Sequence, residues 1–198
     1  MNISNEHLMA RIKRSQTAVS GLADHLDTIA NICSTIETNL AAGATLWTAG
    51  NGGSAAQALH LSEELVGRYR ADRQPLASAM LCGEATSMTC IANDFGFDQI
   101  FARPLRALAR PGDLLMVLST SGNSPNLINA LEVAATIPCT TIGLLGKDGG
   151  SCAERCDHTL VINESDSACI QDAHQIVIHL LCEHLDIWAT SKEGTVSQ

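Results

Sequence analysis

The fold is decided by one short stretch, residues 45–54, which reads TLWTAGNGGS. Its first half is typical of a buried strand, and its second half is a glycine-rich turn. A helical pattern of apolar residues starts at Ser54 and continues to about Val66. Glycine permits positive φ and close backbone approach, and the first N–H groups of a helix attract anions. The stretch therefore predicts a strand, a turn able to approach an anion, and a helix, although such a turn alone is weak evidence for a site.

The alternation of short strands with longer helices continues along the rest of the chain. Four further strands are predicted from short apolar segments, at residues 76–81, 113–119, 140–145 and 158–162. Helical patterns lie between and after them, at residues 85–92, 99–108, 125–135 and 167–188. This order is typical of a parallel sheet covered by helices on both faces. We therefore expect an α/β fold, a doubly wound five-stranded parallel sheet of flavodoxin-like type.

The two ends of the chain have patterns of their own. Apolar residues recur at three- and four-residue steps over residues 6–41, which predicts a helix ahead of the first strand. Residues 191–198 are polar, and we expect them to form a disordered tail. No Pro/Gly-rich linker divides the chain, so a single domain over residues 1–198 is expected. Residues 1–41 would be an N-terminal extension whose long apolar stripe suits oligomerisation.

Composition and charge exclude several classes of partner. The chain has 198 residues, with 12 Lys and Arg against 21 Asp and Glu, a formal net charge of −9. Such a chain lacks the broad basic field that nucleic acids require, and aromatic residues, at 3%, are too few for base-stacking platforms. No apolar run approaches the roughly 20 residues of a membrane span, and the polar N-terminus is unlike a signal peptide. We expect a cytoplasmic protein with neither membrane nor nucleic-acid partner.

The eight cysteines are scattered and contain no CxxC pair. Free thiols in a reducing cytoplasm are the simplest interpretation. Cys152 and Cys156 with His158 could suggest a metal cluster, but a fourth ligand at the usual spacing is missing.

The third predicted strand ends in hydroxyl side chains, STSGNS at residues 119–124, followed by Pro125 at the start of a helix. Hydroxyls, a glycine and a helix N-terminus together can bind a phosphate without Lys or Arg. The alternative is a simple Ser/Thr capping cluster. Ligands of such sheets lie outside the carboxyl ends of the strands, which favours a phosphate site here.

Two helices carry a second set of polar residues. His60 and Glu64 are four residues apart and share one face of the helix that follows the glycine turn. Gln171, His174, Gln175 and His179 lie among apolar residues of the last helix. Gln171 and His179 are about 12 Å apart along the axis, so one metal could contact both only if the side chains lean together or come from different subunits. A surface ion pair and a buried histidine are the alternatives.

Taken together, these motifs resemble the sugar isomerase (SIS) domain family, specifically its bacterial phosphoheptose isomerases. The matching segments follow the family's order: GNGGS at 50–54, HLSEELVGRY at 60–69, NDFGF at 93–97, STSGNS at 119–124, GKDGG at 146–150, and IQ at 170–171 with His174 and His179. One departure is Cys169, where the family commonly has Arg, which removes a positive charge close to the site.

The resemblance implies a site and an assembly. One zinc ion per subunit would be held by His60, Glu64, Gln171 and His179. A sugar phosphate would contact Asn51, Gly52, Gly53, Ser54, Asn93, Asp94, Ser119, Thr120, Ser121, Ser124 and Gln171. Family members are homotetramers with active sites at subunit interfaces, which would ease the spacing of Gln171 and His179.

The resemblance also implies an activity, the isomerisation of sedoheptulose 7-phosphate to D-glycero-D-manno-heptose 7-phosphate, which supplies heptose for lipopolysaccharide or other surface glycans. Aldose–ketose isomerisation needs a base and an acid, and the hypothesis is that Glu64 moves the C1/C2 proton through an enediol and His179 is the complementary acid/base. The alternative is a non-catalytic SIS module, such as a sugar-phosphate sensor or a DnaA-binding replication-initiation adaptor. Such adaptors are expected to have lost the ligands that persist here.

Overall fold

The computed structural model describes residues 3–193 and contains one five-stranded parallel sheet. The strands are β1 (Leu46–Gly50), β2 (Ser78–Met80), β3 (Leu114–Ser119), β4 (Thr140–Gly146) and β5 (His158–Ile162). Their spatial order is β2-β1-β3-β4-β5, and every neighbouring pair is parallel. The chain therefore winds outward in one direction from β1 to β2 and in the other from β3 to β5. The expected doubly wound α/β fold is confirmed.

The helices are α1 (Asn5–Ser20), α2 (Leu26–Ala41), α3 (Gly53–Val66), α4 (Ala85–Phe95), α5 (Ala102–Leu108), α6 (Pro125–Thr136), α7 (Gly150–Ala153) and α8 (Ser167–Glu193). Short 3-10 helices cover Gly21–His25 and Phe97–Gln99. Within residues 3–193, no helix is both long and apolar enough to cross a membrane.

Two apolar cores form because both faces of the sheet are covered. All six residues of β3 are buried, and successive side chains alternate between the faces. Leu114 and Met116 join the core under α2, α3 and α8, whereas Leu115 and Val117 join the core under α5 and α6. Helices α3 and α8 thus lie on the same face of the sheet, and the polar residues of both can meet.

The N-terminal extension differs from the single predicted helix over residues 6–41. It is two helices, because a 3-10 segment begins at Gly21 and turns Leu22, only 5% exposed, into the core. Helix α1 packs along α8 and buries none of its own residues, whereas α2 packs against the core through Ile29, Ile32 and Ile36. The spacing of apolar residues alone does not reveal such a change in the direction of the chain.

The boundaries of other elements also shift. The predicted strand at 76–81 shortens to β2, since the Leu76 N–H donates to the carbonyl oxygen of Leu65 and so lies outside the sheet. The helix predicted from residue 99 begins at Ala102, and the short helix α7 was not predicted. Helix α8 continues to Glu193, so the expectation of a disordered tail is wrong for residues 191–193; residues 194–198 lie outside the described part of the chain.

Candidate active site

A pocket of about 80 Å³ opens at the carboxyl ends of β1 and β3, the point where the winding of the sheet reverses. Gly50 at the end of β1 pairs with Leu118 of β3, which places the glycine turn beside the hydroxyl-rich segment. We call these two segments, residues 50–54 and 119–124, the cradle. The pocket is lined by Asn51, Ser54, Leu118, Ser119, Thr120, Ser121, Ser124 and Gln171. None of these side chains carries a charge.

Two hydrogen bonds from backbone N–H groups hold the hydroxyl-rich half of the cradle in shape. The Gly122 N–H donates to Ser119 Oγ at 3.0 Å, and the Cys152 N–H donates to the Gly122 carbonyl oxygen at 2.8 Å. Gly122 has φ +63, and a Cβ atom there would overlap the carbonyl oxygen of Gly149. Only glycine fits, because the positive φ and the close backbone both exclude a side chain.

Asn51 connects the glycine turn of the cradle to the first turn of α6. Its Nδ2 donates to Asn126 Oδ1 at 2.9 Å, and Asn126 Nδ2 donates back to Asn51 Oδ1 at 2.8 Å. Both ends of the carboxamide are therefore committed to this reciprocal pair. The sequence predicted Asn51 as a contact to substrate, and the structure places it in the pocket lining with a structural role as well.

Several hydroxyls of the cradle remain available to a ligand. Those of Ser54, Thr120 and Ser124 form no hydrogen bond with any residue that the structure describes. Ser124 is the N-cap of α6 but does not cap it through its side chain. The cradle can thus offer neutral donors next to the positive end of a helix dipole, an arrangement suited to a phosphate group.

Gly52 and Gly53 form the turn from β1 into α3. Gly52 has φ +55 and is the N-cap of α3, while Gly53 begins the helix. A Cβ atom on Gly53 would lie 2.6 Å from Gln171 Nε2. Glycine at position 53 therefore lets the carboxamide of Gln171 approach the turn and reach the pocket.

A second group of polar side chains lies between α3 and α8. His60 Nε2 is 3.1 Å from Glu64 Oε1, one turn away on α3, and the His179 ring on α8 stands perpendicular to that of His60 with 5.6 Å between centroids. We call His60, Glu64 and His179 the cluster. Ligand atoms of His60, Glu63 and Glu64 all lie within 4.8 Å of one another. The structure therefore places two of the four predicted metal ligands, His60 and Glu64, within coordinating distance of each other, with the His179 ring beside His60. It also places Glu63, which was not predicted, in the same group.

The fourth predicted ligand, Gln171, is placed differently. Its side chain lines the pocket of the cradle, and its backbone carbonyl accepts a hydrogen bond of 2.8 Å from Gln57 Nε2. Gln175, one turn further along α8, contacts the cluster instead: its Nε2 is 2.9 Å from His60 Nδ1 and 3.0 Å from His179 Nε2. No role was predicted for Gln175, although its four-residue spacing from His179 indicated that the two side chains share a helix face.

Asn93 and Asp94 lie at the end of α4 and are not among the residues that line the pocket. Both are exposed, and Asn93 Nδ2 donates to Asp94 Oδ1 at 2.7 Å. Phe95 and Phe97, 49% and 59% exposed, flank them and form an apolar surface. Within one chain, the structure does not join this segment to the predicted substrate contacts.

The remaining titratable candidates have structural positions. His174 is fully buried, donates from Nε2 to the Leu145 carbonyl oxygen at 3.2 Å, and burial lowers its pKa to about 4, so it is neutral at pH 7. Burial raises the pKa of the Cys152 and Cys156 thiols to about 11 and about 12. Among the described residues, Cys152, Cys156 and His158 do not form a group of ligand atoms within 4.8 Å of one another.

The start of α8 has no cationic residue of its own and is hydrogen-bonded to α1. Cys169 is fully buried, so this position faces the core. Asp172 accepts hydrogen bonds from Ser15 Oγ at 2.6 Å and from Arg11 Nη2 at 3.0 Å. Arg11 of the N-terminal extension thus supplies a positive charge at this end of α8.

Comparison with known proteins identifies relatives over most of the chain. Residues 9–146 match the SIS domain family. The phosphoheptose isomerase of Trichlorobacter lovleyi is 50% identical over 137 residues, 69% of this chain and 70% of that protein. That of Geotalea daltonii is 41% identical and covers 91% of this chain and 95% of its own length.

Solved structures give the same result at the level of the fold. The phosphoheptose isomerase GmhA of Neisseria gonorrhoeae superposes with a TM-score of 0.86 at 33% identity, covering 91% of this chain and 97% of that chain. A phosphoheptose isomerase of Francisella tularensis superposes with a TM-score of 0.89 at 30% identity, covering 93% and 99%. The sugar isomerase domain of an RpiR transcription factor from Sphaerobacter thermophilus, at 18% identity and a TM-score of 0.63 over 94% of both chains, shares the fold alone.

Proposed function

The chain belongs to the SIS domain family, and within it to the phosphoheptose isomerases, and on this premise we propose that it isomerises sedoheptulose 7-phosphate to D-glycero-D-manno-heptose 7-phosphate. The observation that carries the proposal is the position of the cluster relative to the cradle. Helix α3 begins in the cradle at Gly53 and carries His60 about 10 Å further along its axis. This separation suits a seven-carbon sugar whose phosphate and reacting carbons lie at opposite ends.

The cradle holds the phosphate. The contacts we propose within one chain are those of the expected set other than Asn93 and Asp94: Asn51, Gly52, Gly53, Ser54, Ser119, Thr120, Ser121, Ser124 and Gln171. Hydroxyl and backbone donors at the start of a helix bind an anion without a charged side chain. The chain's net charge of −9 is no obstacle, because capture depends on these local donors and not on a long-range field.

The cluster moves the proton. We assign Glu64 as the base that transfers the proton between C1 and C2, and His179 as the group that exchanges protons with the sugar oxygens. Glu64 is suited to this role, because its side chain is only 16% exposed and its carboxylate oxygen already contacts an imidazole. His179 faces the same space from α8 and packs at 5.7 Å from the Tyr69 ring, which restricts its orientation.

The donor set of the cluster fits zinc, since imidazole nitrogen and carboxylate oxygen are common zinc ligands. We propose that His60, Glu64 and His179, with Gln171 as the fourth residue, hold one zinc ion per subunit. A bound zinc would supply Lewis-acid polarisation of the sugar carbonyl. Gln171 lines the cradle, so its carboxamide would have to turn toward the cluster to complete this ligand set.

We further propose that the chain works as a cytoplasmic homotetramer. Helix α1 exposes apolar side chains, with Leu8 43%, Met9 52% and Ile12 51% exposed, and Ile3 just ahead of it is 61% exposed. A second apolar surface surrounds Phe95 and Phe97, beside Asn93 and Asp94. Large exposed apolar residues in groups are typical of protein interfaces. Packing of α4 against a neighbouring subunit would bring Asn93 and Asp94 to a shared site.

The test is incubation of the purified chain with sedoheptulose 7-phosphate and Zn²⁺, with products followed by NMR. We expect the heptose 7-phosphate to accumulate, His179→Ala to slow turnover by at least about 10²-fold, and the exposed His7→Ala control to leave it unchanged. Absence of product, together with binding to a replication initiator, would overturn the proposal in favour of a non-catalytic adaptor. Absence of product with tight sugar-phosphate binding would favour a sensor.

A further inference from the structure

The side chain of Gln175 lies between the two histidines of the cluster. Its Nε2 is 2.9 Å from His60 Nδ1 and 3.0 Å from His179 Nε2. One amide nitrogen therefore contacts a ring nitrogen from each of two helices. Both distances are those of ordinary hydrogen bonds.

A second glutamine fixes which way round the Gln175 carboxamide lies. Gln57 Nε2 donates at 2.8 Å to the backbone carbonyl of Gln171, which can only accept, so the nitrogen of Gln57 must face it. The same nitrogen is 3.4 Å from Gln175 Oε1. The oxygen of Gln175 therefore faces Gln57, and its NH₂ group faces the imidazoles.

This orientation determines where the imidazole protons are. The NH₂ group carries two hydrogens and no lone pair to share, so both ring nitrogens that it contacts must be unprotonated acceptors. The proton of neutral His60 is then on Nε2, where it is donated to Glu64 Oε1 at 3.1 Å. The proton of neutral His179 is on Nδ1.

A metal ion conflicts with this arrangement at either nitrogen of a ring. Zinc bound at the nitrogen that faces Gln175 would displace the amide, whereas zinc bound at the other nitrogen, such as the His60 Nε2 that faces Glu64, would move the ring proton onto the nitrogen that the Gln175 NH₂ group contacts. The rings do not depend on Gln175 for their position, because Glu64 holds His60, and His179 packs against His60 and Tyr69. The hydrogen bonds of Gln175 thus stabilise the metal-free cluster more than the metal-bound one.

We propose that Gln175 occupies one imidazole lone pair of each histidine in the metal-free protein and lowers the affinity of the cluster for zinc by competing with it. The proposal rests on the zinc site of the proposed function. It gives Gln175 two effects. Its NH₂ group selects which nitrogen of each imidazole carries the proton, and its hydrogen bonds lower the affinity for zinc. It does not require Gln175 to touch the substrate.

The first experiment measures zinc affinity. Metal-free full-length protein is titrated with Zn²⁺ against a chromophoric chelator, for the wild type, Gln175→Leu and the matched control Gln16→Leu, whose glutamine is exposed on α1. Loss of two competing hydrogen bonds should make Gln175→Leu bind zinc about tenfold more tightly, with Gln16→Leu unchanged. An affinity of Gln175→Leu equal to or weaker than that of the wild type would overturn the proposal.

The second experiment needs no variant and therefore does not depend on its folding. Imidazole ¹⁵N NMR of the metal-free wild type should show His60 protonated on Nε2 and His179 protonated on Nδ1. His60 protonated on Nδ1 would contradict the hydrogen-bond assignment. A wild type that binds no zinc would overturn both this inference and the zinc site, whereas one zinc per subunit with identical affinity in Gln175→Leu would overturn this inference alone.

Discussion

The cradle and the cluster are built in opposite ways. The cradle consists of two contiguous segments that follow neighbouring strands, and its shape depends on backbone conformation at positions such as Gly53 and Gly122. The cluster consists of side chains that reach across from two helices far apart in the chain. A backbone-built site is intolerant of added atoms but tolerates loss of one donor, whereas a side-chain-built site depends on each group. Substitutions in the two regions should therefore fail in different ways.

The largest expected effect is that of metal removal, which should act on the cluster and leave the cradle unchanged. Removing the proposed zinc with a chelator should lower kcat with sedoheptulose 7-phosphate by at least about 10²-fold, because the cluster would then hold no cation to polarise the carbonyl. Binding of inorganic phosphate, measured by calorimetry, should be unchanged, since the cradle is built from hydroxyls and backbone. Restored kcat on addition of Zn²⁺ is the control. Full activity in the chelated protein would contradict the division.

The next effect is on the backbone of the cradle. Gly122→Ala should lower the free energy of unfolding by at least about 3 kcal/mol, because its Cβ would overlap the Gly149 carbonyl oxygen. Gly112→Ala is the matched control, since Gly112 also has a positive φ, +94, but a Cβ there has no atom within 4 Å. It should cost only the backbone strain, about 1 kcal/mol. Urea denaturation measures the free energy of unfolding of both variants. Equal losses would show that the close approach of the Gly149 carbonyl oxygen to Gly122 does not determine the cost of the substitution.

A comparable effect should appear on acidification, through the buried His174 that joins α8 to the end of β4. Its pKa in the fold, about 4, is below the ordinary value of 6.5, so between these values the unfolded chain binds the proton and the folded chain does not. The free energy of unfolding should fall by up to about 3 kcal/mol as the pH drops through this window. Denaturant titrations at pH 6.5 and pH 4 should show the fall in the wild type. His174→Leu should lack this component, and an identical fall in the variant would assign it elsewhere.

The smallest effect is expected from one hydroxyl of the cradle. Ser124 lines the pocket and has no hydrogen bond with the described residues, so Ser124→Ala should leave folding intact. Loss of one hydrogen bond to a charged phosphate should raise KM about tenfold with little change in kcat. Ser20→Ala, at an exposed serine, is the control. A fall in kcat at unchanged KM would place Ser124 with the chemistry and not with binding.

The same contrast explains how much the sequence could predict. The cradle was predictable because its glycines and hydroxyls are contiguous and because parallel strands bring their carboxyl ends together. All five strands were predicted, and their positions were right to within a few residues. The pairing of Asn51 with Asn126 was not predictable, since it depends on the exact approach of two loops.

The cluster was only partly predictable. The four-residue spacing of His60 and Glu64 indicated a shared helix face, but their meeting with His179 depends on how α3 packs beside α8. The same packing points Gln171 into the cradle and Gln175 at the imidazoles. The break at Gly21 was missed because apolar spacing continues through it while the chain changes direction. Tertiary packing decided each of these points.

The most direct test of the account is the turnover of Glu64→Gln with sedoheptulose 7-phosphate, measured alongside the affinity for the sugar phosphate. Glutamine keeps the shape of the side chain but cannot accept the proton, so kcat should fall by at least about 10²-fold while the cradle still binds substrate. Glu132→Gln, at an exposed glutamate on α6, should behave as the wild type. A Glu64→Gln enzyme with a kcat within about twofold of the wild type would contradict the assignment of proton transfer to the cluster.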